Sequence, residues 1–281
     1  MKSNEWKLGM SSCGSDFVDR SVLEQYAKGN IECMEISMLK EQCLKLDWKQ
    51  LKKDADECGV TLWSFHLPFY PFETNNFAHP DPVVRKNTLE LHSEFVKHCG
   101  EIGIGIVVAH PSGEPNPAEQ REEMLKYAQD TLSKLADVGA KEGVVVAVED
   151  LPRTCIGNCS KDINFILSGN DKLRCCFDTN HLLFEDNLDF IKAVGSKIVT
   201  IHASDYDGKD EKHWLPYEGI NDWVGILTEL EKVGYTGPFM YEVGFKKPRA
   251  LDRRELTYED FRKNYLAVVN KQKAERIPYN V

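Results

Sequence analysis

Eight short apolar segments recur along the chain, and each is followed by a stretch with the hydrophobic period of a helix. The apolar segments are KLGMSSCG, IECMEIS, VTLWSFHL, GIVVAH, GVVVAVE, LRCCFD, KIVTIH and PFMYEV. Strands that are apolar almost throughout are typical of a parallel sheet covered by helices. Eight such units predict an α/β protein with a closed (β/α)8 TIM barrel, in which residues 1–281 form a single domain. An open doubly wound sheet is the alternative, although the sequence has no glycine-rich dinucleotide fingerprint.

The intervening helices are predicted from amphipathic patterns that follow each strand. They cover Asp16–Lys28, Asp47–Cys58, a long stretch ending near Glu101, Pro117–Val138, Asp162–Leu167, Leu188–Val194, Asp222–Val233 and Tyr258–Val269.

Charge and cysteine content restrict the partners and the compartment. The formal net charge is −10, which disfavours nucleic acid or an anionic membrane as the main partner, because both attract net positive charge. No run of 18 apolar residues is present, and the N-terminal MKSNEWKLGM lacks the apolar run of a signal peptide. Nine cysteines, an odd number, are interpreted as small buried side chains in a reducing compartment. The sequence therefore predicts a cytoplasmic protein without a membrane or nucleic-acid partner.

Six successive strands end on a residue that is able to bind a metal ion or move a proton. These residues are His66, His110, Glu149, Asp178, His202 and Glu242. In a (β/α)8 barrel all the carboxyl ends of the strands lie at one mouth, where active sites form. Each residue by itself also has an ordinary structural interpretation, such as a helix cap or a salt bridge. Together, three converging carboxylates would repel one another without a cation, so the pattern predicts a divalent metal site.

The predicted ligands are Glu149, Asp178, His202 and Glu242. This set is rich in oxygen and suits Mn²⁺, Mg²⁺ or Co²⁺, with Zn²⁺ also allowed. A second, softer set comprises His66, His110, His181 and His213, which either hold further zinc ions or bind substrate oxygens and carry protons. Cys155 and Cys159 form a CxxxC pair, which lacks the second pair that a structural zinc site needs.

The segments VAVEDLPR, FDTNHLL, IHASD and HWLPYEG, in this order and spacing, resemble the xylose isomerase-like barrel superfamily over essentially the whole chain. The resemblance implies that Glu149, Asp178, His202 and Glu242 are the metal ligands and that Glu149 and Glu242 are the catalytic carboxylates. It also implies a substrate-binding role for His181.

The endonuclease IV branch of the superfamily has a three-zinc site, whose early histidines fall on His66 and His110. Its late Asp-x-His falls on Glu211 and His213, so a glutamate here replaces an aspartate. The carboxylate that ketose 3-epimerases carry after the first glutamate falls on Cys155, which argues against close kinship to that branch. Arg153, in DLPR, either holds a substrate oxygen or phosphate or makes a surface salt bridge.

The leading hypothesis is a metal-dependent isomerase or epimerase that acts on a small sugar or sugar phosphate by proton transfer through an enediolate. The alternatives are a zinc phosphodiesterase acting on abasic DNA, a dehydratase of an inosose-type ketone, and a barrel that binds sugar or metal without turnover. Members of the superfamily are often dimers or tetramers, so the resemblance also implies a possible homo-oligomer.

Overall fold

Eight parallel strands form a barrel in the computed structural model, which describes residues 1–13, 15 and 17–278. The strands are β1 Leu8–Ser11, β2 Cys33–Ser37, β3 Thr61–His66, β4 Ile106–Ala109, β5 Val145–Glu149, β6 Arg174–Asp178, β7 Ile198–His202 and β8 Phe239–Tyr241. Strands β1 to β7 pair in sequence order, and β8 pairs with β1. An isolated parallel bridge between Ala203 and Tyr241 joins the ends of β7 and β8. The (β/α)8 barrel is therefore confirmed, and the open sheet is wrong.

Helices follow the strands in the predicted order. They are α1 Arg20–Lys28, α2 Lys40–Cys43, α3 Trp48–Cys58, α4 Pro82–Ile102, α5 Arg121–Glu142, α6 Ser160–Ser168, α7 Asn187–Val194, α8 Trp223–Lys232 and α9 Tyr258–Val269. The predicted first residue of the first helix, Asp16, lies outside the described residues. The short helix α2 was not predicted, because four residues are too few to show a helical period. The extent of the single domain over residues 1–281 stays a prediction.

Side-chain caps fix where several helices begin. In α1, α3, α4, α7 and α8 the residue before the helix is an aspartate whose carboxylate accepts a backbone N–H of the first turn: Asp19, Asp47, Asp81, Asp186 and Asp222. Helices α4 and α5 end at Gly103 and Gly143, whose φ angles of 80° and 71° are readily adopted only by glycine.

The inward faces of the strands explain how the polar residues reach the mouth. Val108, Ala147 and Cys176 form a small buried cluster inside the barrel. Because side chains alternate along a strand, Glu149 shares the face of Ala147, and Asp178 shares the face of Cys176. The apolar cluster therefore lies one layer beneath the polar strand ends.

The cysteines are free thiols. Six of the nine are buried, whereas Cys13 is exposed and departs from the expected burial. Within the described part of the chain, neither Cys155 nor Cys159 belongs to a cluster of metal-binding side chains. Over those same residues, no helix has both the length and the apolar character needed to cross a bilayer.

Candidate metal centre and active site

Four side chains from the ends of four strands converge at the mouth of the barrel. One ligand atom each of Glu149, Asp178, His202 and Glu242 lies within 4.8 Å of the others. Nδ1 of His202 lies 2.8 Å from Oε1 of Glu149, 3.2 Å from Oε2 of Glu242 and 3.8 Å from Oδ2 of Asp178. The structure thus brings together the four side chains that the sequence predicted as one ligand set.

The carboxyl groups of this cluster differ in the direction of their pKa shifts. Burial raises the pKa of Asp178 well above its usual value, and the carboxylates of Glu242 and Glu149 add to the effect. Burial also raises the pKa of Glu149, but the imidazoles of His202 and His110 outweigh it and hold that pKa well below the usual range. Oδ2 of Asp178 and Oε2 of Glu242 are buried and, among the described residues, make no hydrogen bond of regular geometry. Unsatisfied carboxylate oxygens that converge on one point are the chemistry that a divalent cation completes.

The second oxygen of Glu149 faces another pair of side chains. Its Oε2 lies 3.1 Å from Nε2 of His66 and 3.1 Å from Nε2 of His110. His66 is held through Nδ1, which donates to the carbonyl oxygen of Leu67 at 3.0 Å. The ring of Phe69 stacks on His110, with centroids 4.1 Å apart. Glu149 therefore lies between two candidate ligand groups, with one oxygen toward each.

A third group forms where the loops after β6 and β7 meet. Nε2 of His181 lies 3.4 Å from Oε2 of Glu211, and His213 belongs to the same cluster. His181 donates through Nδ1 to the backbone oxygen of Asp150 at 2.8 Å, which leaves Nε2 facing the mouth. Burial raises the pKa of Glu211, but hydrogen bonding to His181 and the charge of Arg153 outweigh it and lower that pKa to about 2. Glu211, which the resemblance aligns with an aspartate of the endonuclease IV branch, thus contacts both His181 and Arg153.

Two buried side chains hold the loop that carries Glu211 and His213. Both oxygens of Asp205 accept two N–H groups each, from Tyr206, Asn221, Tyr217 and Trp223. Oδ1 of Asn180 accepts the backbone N–H groups of Lys212 and His213. No local sequence pattern indicates this role for either residue, because their partners are spread between Tyr206 and Trp223 and come together only in the folded loop.

Arg153 makes salt bridges at the rim of the mouth. Its guanidinium contacts the carboxylates of Glu114, Asp210 and Glu211. It lines a cavity of about 210 Å³ that also contains His110, His181, His213, Glu149 and Glu242. Arg153 thus makes salt bridges, and its role toward a substrate oxygen or phosphate stays a prediction.

Glu35 and Asp150 were missed by the sequence analysis, and both contact the site. Asp150 accepts the backbone N–H of Asp178 at 2.8 Å, and burial raises its pKa to about 8. Glu35 is fully buried, with Oε1 2.9 Å from Nε2 of His202. A carboxylate within the apolar segment CMEIS could have indicated that Glu35 has a buried role. Because Glu35 lies inside the strand, a search of strand ends does not find it.

A family model described as a xylose isomerase-like TIM barrel matches residues 23–262. The chain belongs to this family. An uncharacterized protein from Methanocaldococcus jannaschii is 25% identical over 98% of this chain and 96% of its own length. The D-psicose 3-epimerase of Ruminiclostridium cellulolyticum is 22% identical over 69% of this chain and 67% of its own length. The crystal structure of a D-tagatose 3-epimerase-like protein superposes with a TM-score of 0.78 at 25% identity, covering 94% of this chain and 98% of that one.

Of these three similar proteins, one is a sugar epimerase and another is described as similar to one. The resemblance inferred from sequence is therefore confirmed.

Proposed function

We propose that the protein is a divalent-metal-dependent epimerase or isomerase that moves a proton on a carbon of a small sugar through an enediolate. The observation that carries the proposal is the convergence of Glu149 and Glu242, two carboxylates able to exchange protons, with Asp178 and His202 at one point. The sugar epimerases among the relatives support the same class of reaction.

The cation would be held by Glu149, Asp178, His202 and Glu242. The unpartnered oxygens of Asp178 and Glu242 fit it, and three carboxylates with one imidazole suit Mn²⁺, Mg²⁺ or Co²⁺ better than a thiol-preferring ion. When bound, the ion would supply a Lewis acid that polarises the sugar carbonyl and stabilises negative charge on its oxygen.

Glu149 and Glu242 are the proposed proton-transfer groups. One carboxylate removes the proton from carbon, and the same or the other carboxylate returns it. Both side chains line the mouth cavity, and Oε2 of Glu242 accepts no regular hydrogen bond from the part of the chain that the structure describes. His181, with Nε2 toward the cavity, would steady a substrate hydroxyl. Phe69, stacked on His110, offers an apolar wall to the C–H face of a sugar.

An uncharged sugar fits the cavity better than a sugar phosphate. Arg153 is the one Lys or Arg among the described residues that line the cavity, and three carboxylates already engage its guanidinium. A phosphate group would therefore meet a surplus of negative charge. Dehydration of an inosose-type ketone would use the same base and remains an alternative within this proposal.

Phosphodiester hydrolysis at a zinc cluster is the second candidate function. It is favoured by the two further groups, His66–His110–Glu149 and His181–Glu211–His213, which flank the central one. A formal charge of −10 opposes it, because binding to a DNA backbone depends on released counterions and basic contacts.

Proton exchange at carbon distinguishes the two functions. Metal-free protein is loaded with Mn²⁺ or Zn²⁺ and incubated in D2O with a panel of ketoses, aldoses and their phosphates, while abasic DNA is tested in parallel. We expect deuterium at a carbon of at least one unphosphorylated sugar by NMR, with about one Mn²⁺ bound per chain. Nicking of abasic DNA by a protein holding two or three Zn²⁺, with no sugar labelled, would replace the proposal with the second candidate.

A further inference from the structure

Glu35 is a buried carboxylate inside a strand, one layer below the strand ends that form the candidate site. It lies in the middle of β2, is fully buried and faces the barrel interior beneath the mouth. Its Oε1 lies 2.9 Å from Nε2 of His202, on the opposite side of the ring from the three carboxylates that contact Nδ1. His202 therefore sits between Glu35 below and the candidate metal position above.

Within the described residues, neither of the two facing atoms makes a hydrogen bond of regular geometry. Oε1 of Glu35 and Nε2 of His202 are both buried without an established hydrogen bond, although they are in ion-pair contact. Buried polar atoms of native proteins are nearly always satisfied. The thiol of Cys176 also contacts His202, but a thiol is a weak acceptor. At 2.9 Å, Nε2 of His202 lies within hydrogen-bonding distance of Oε1 of Glu35, the stronger of the two acceptors.

The carboxylate of Glu35 is itself held in place. Its Oε2 accepts the hydroxyl of Ser64, on the neighbouring strand β3, at 2.8 Å. Ser64 is also fully buried, so the carboxylate has one oxygen fixed by β3 and the other directed at His202. The order Ser64, Glu35, His202 is thus a chain of contacts across the barrel interior.

We propose that Glu35 is a positioning residue, which fixes His202 with its proton on Nε2 so that the Nδ1 lone pair is presented to a divalent cation. A neutral imidazole carries one proton, and a ligand nitrogen must be the one without it. A carboxylate on the far nitrogen sets the tautomer, orients the ring and makes the ligand more basic. This inference rests on the proposed function, because it assumes that His202 is a metal ligand.

The test measures metal binding rather than turnover. Metal-free wild type, Glu35→Gln and Ser64→Ala are titrated with Mn²⁺ by calorimetry, after circular dichroism has checked each fold. We expect Glu35→Gln to weaken Mn²⁺ binding by about 10- to 100-fold and Ser64→Ala to weaken it less. Glu32→Gln is the matched control, since Glu32 directly precedes β2, is exposed and accepts the backbone N–H of Leu8. It should bind Mn²⁺ as the wild type does.

A second measurement avoids any variant that fails to fold. In ¹⁵N-histidine-labelled wild type loaded with Zn²⁺, the ring nitrogens of His202 should report a protonated Nε2 and a coordinated Nδ1. A proton on Nδ1, or a folded Glu35→Gln that binds Mn²⁺ with unchanged affinity, overturns the role of Glu35 alone. A wild type that binds no divalent ion overturns the proposed function as well.

Discussion

Glu149 and His202 meet at the barrel mouth from strands β5 and β7, with Oε1 of Glu149 2.8 Å from Nδ1 of His202. They are 53 residues apart in the chain, and the curvature of the sheet brings the inner faces of β5 and β7 together across β6. Because the other oxygen of Glu149 faces His66 and His110, this carboxylate belongs to two candidate ligand groups. Its replacement should therefore have the largest effect on the site.

Removal of the proton-accepting oxygens should abolish turnover without unfolding the protein. Glu149→Gln and Glu242→Gln each keep the side-chain volume and lose a general base, so we expect kcat to fall by about 10²- to 10⁴-fold. Deuterium exchange into the substrate sugar measures the loss. Glu142→Gln, which removes an exposed carboxylate at the end of α5, should keep full activity. Full activity in either active-site variant would remove that glutamate from the mechanism.

Metal addition should stabilise the protein, and Asp178 should be required for the effect. At a free Mn²⁺ concentration about 100 times its Kd, binding contributes about 2.7 kcal/mol, which differential scanning fluorimetry detects as a higher Tm. Asp178→Asn should lose most of this rise. Its metal-free form should be no less stable than wild type, because the substitution removes one of three buried carboxylates that repel one another.

The control for this experiment is Asp189→Asn, which removes an exposed carboxylate on α7. It should keep the full rise in Tm with Mn²⁺. An equal rise in Asp178→Asn would show that the ion binds elsewhere.

Asp205 should be the most sensitive position of the loop that carries Glu211 and His213. Its two oxygens accept four N–H groups, and Asp205→Asn would turn an NH2 group toward N–H donors. Since each lost hydrogen bond to a charged group is worth about 1.5–3 kcal/mol, we expect the free energy of unfolding to fall by about 3 kcal/mol or more in urea titrations. Asp207→Asn, on the same loop but partly exposed, should cost less than about 1 kcal/mol.

His92 should make the stability of the protein fall in mild acid. Burial lowers its pKa to about 3. Nε2–H donates to Oδ1 of Asn75, and Nδ1 has no hydrogen-bond partner within the described residues. As pH falls below about 6.5, the unfolded chain takes up a proton that the folded protein does not. Stability should then fall by up to about 1.4 kcal/mol per pH unit, until the pH approaches the folded pKa.

Urea unfolding of wild type and His92→Gln between pH 7 and pH 4.5 measures this slope. The variant should show a flatter dependence on pH. His98→Gln, an exposed histidine on the same helix, should follow the wild type. Parallel curves for wild type and His92→Gln would mean that His92 is charged in the folded state.

Much of the candidate site was predictable because its residues occupy strand ends. His110 directly follows β4, and Glu149, Asp178 and His202 each end a strand, so an apolar run followed by one polar residue marked each position. Glu242 follows β8 in the same way. Arg153 was harder to interpret, because its partners Glu114, Asp210 and Glu211 come from two other loops.

The sequence by itself determined the order of strands and helices and the identity of the polar residues at the mouth. These follow from local periodicity, which depends on residues only a few positions apart. Only the tertiary structure decided which oxygen of Glu149 faces which histidine, and that Glu35 contacts His202 from within the barrel. Such contacts join strands that are distant in the chain, and they are fixed by the curvature and closure of the sheet, which no local pattern records.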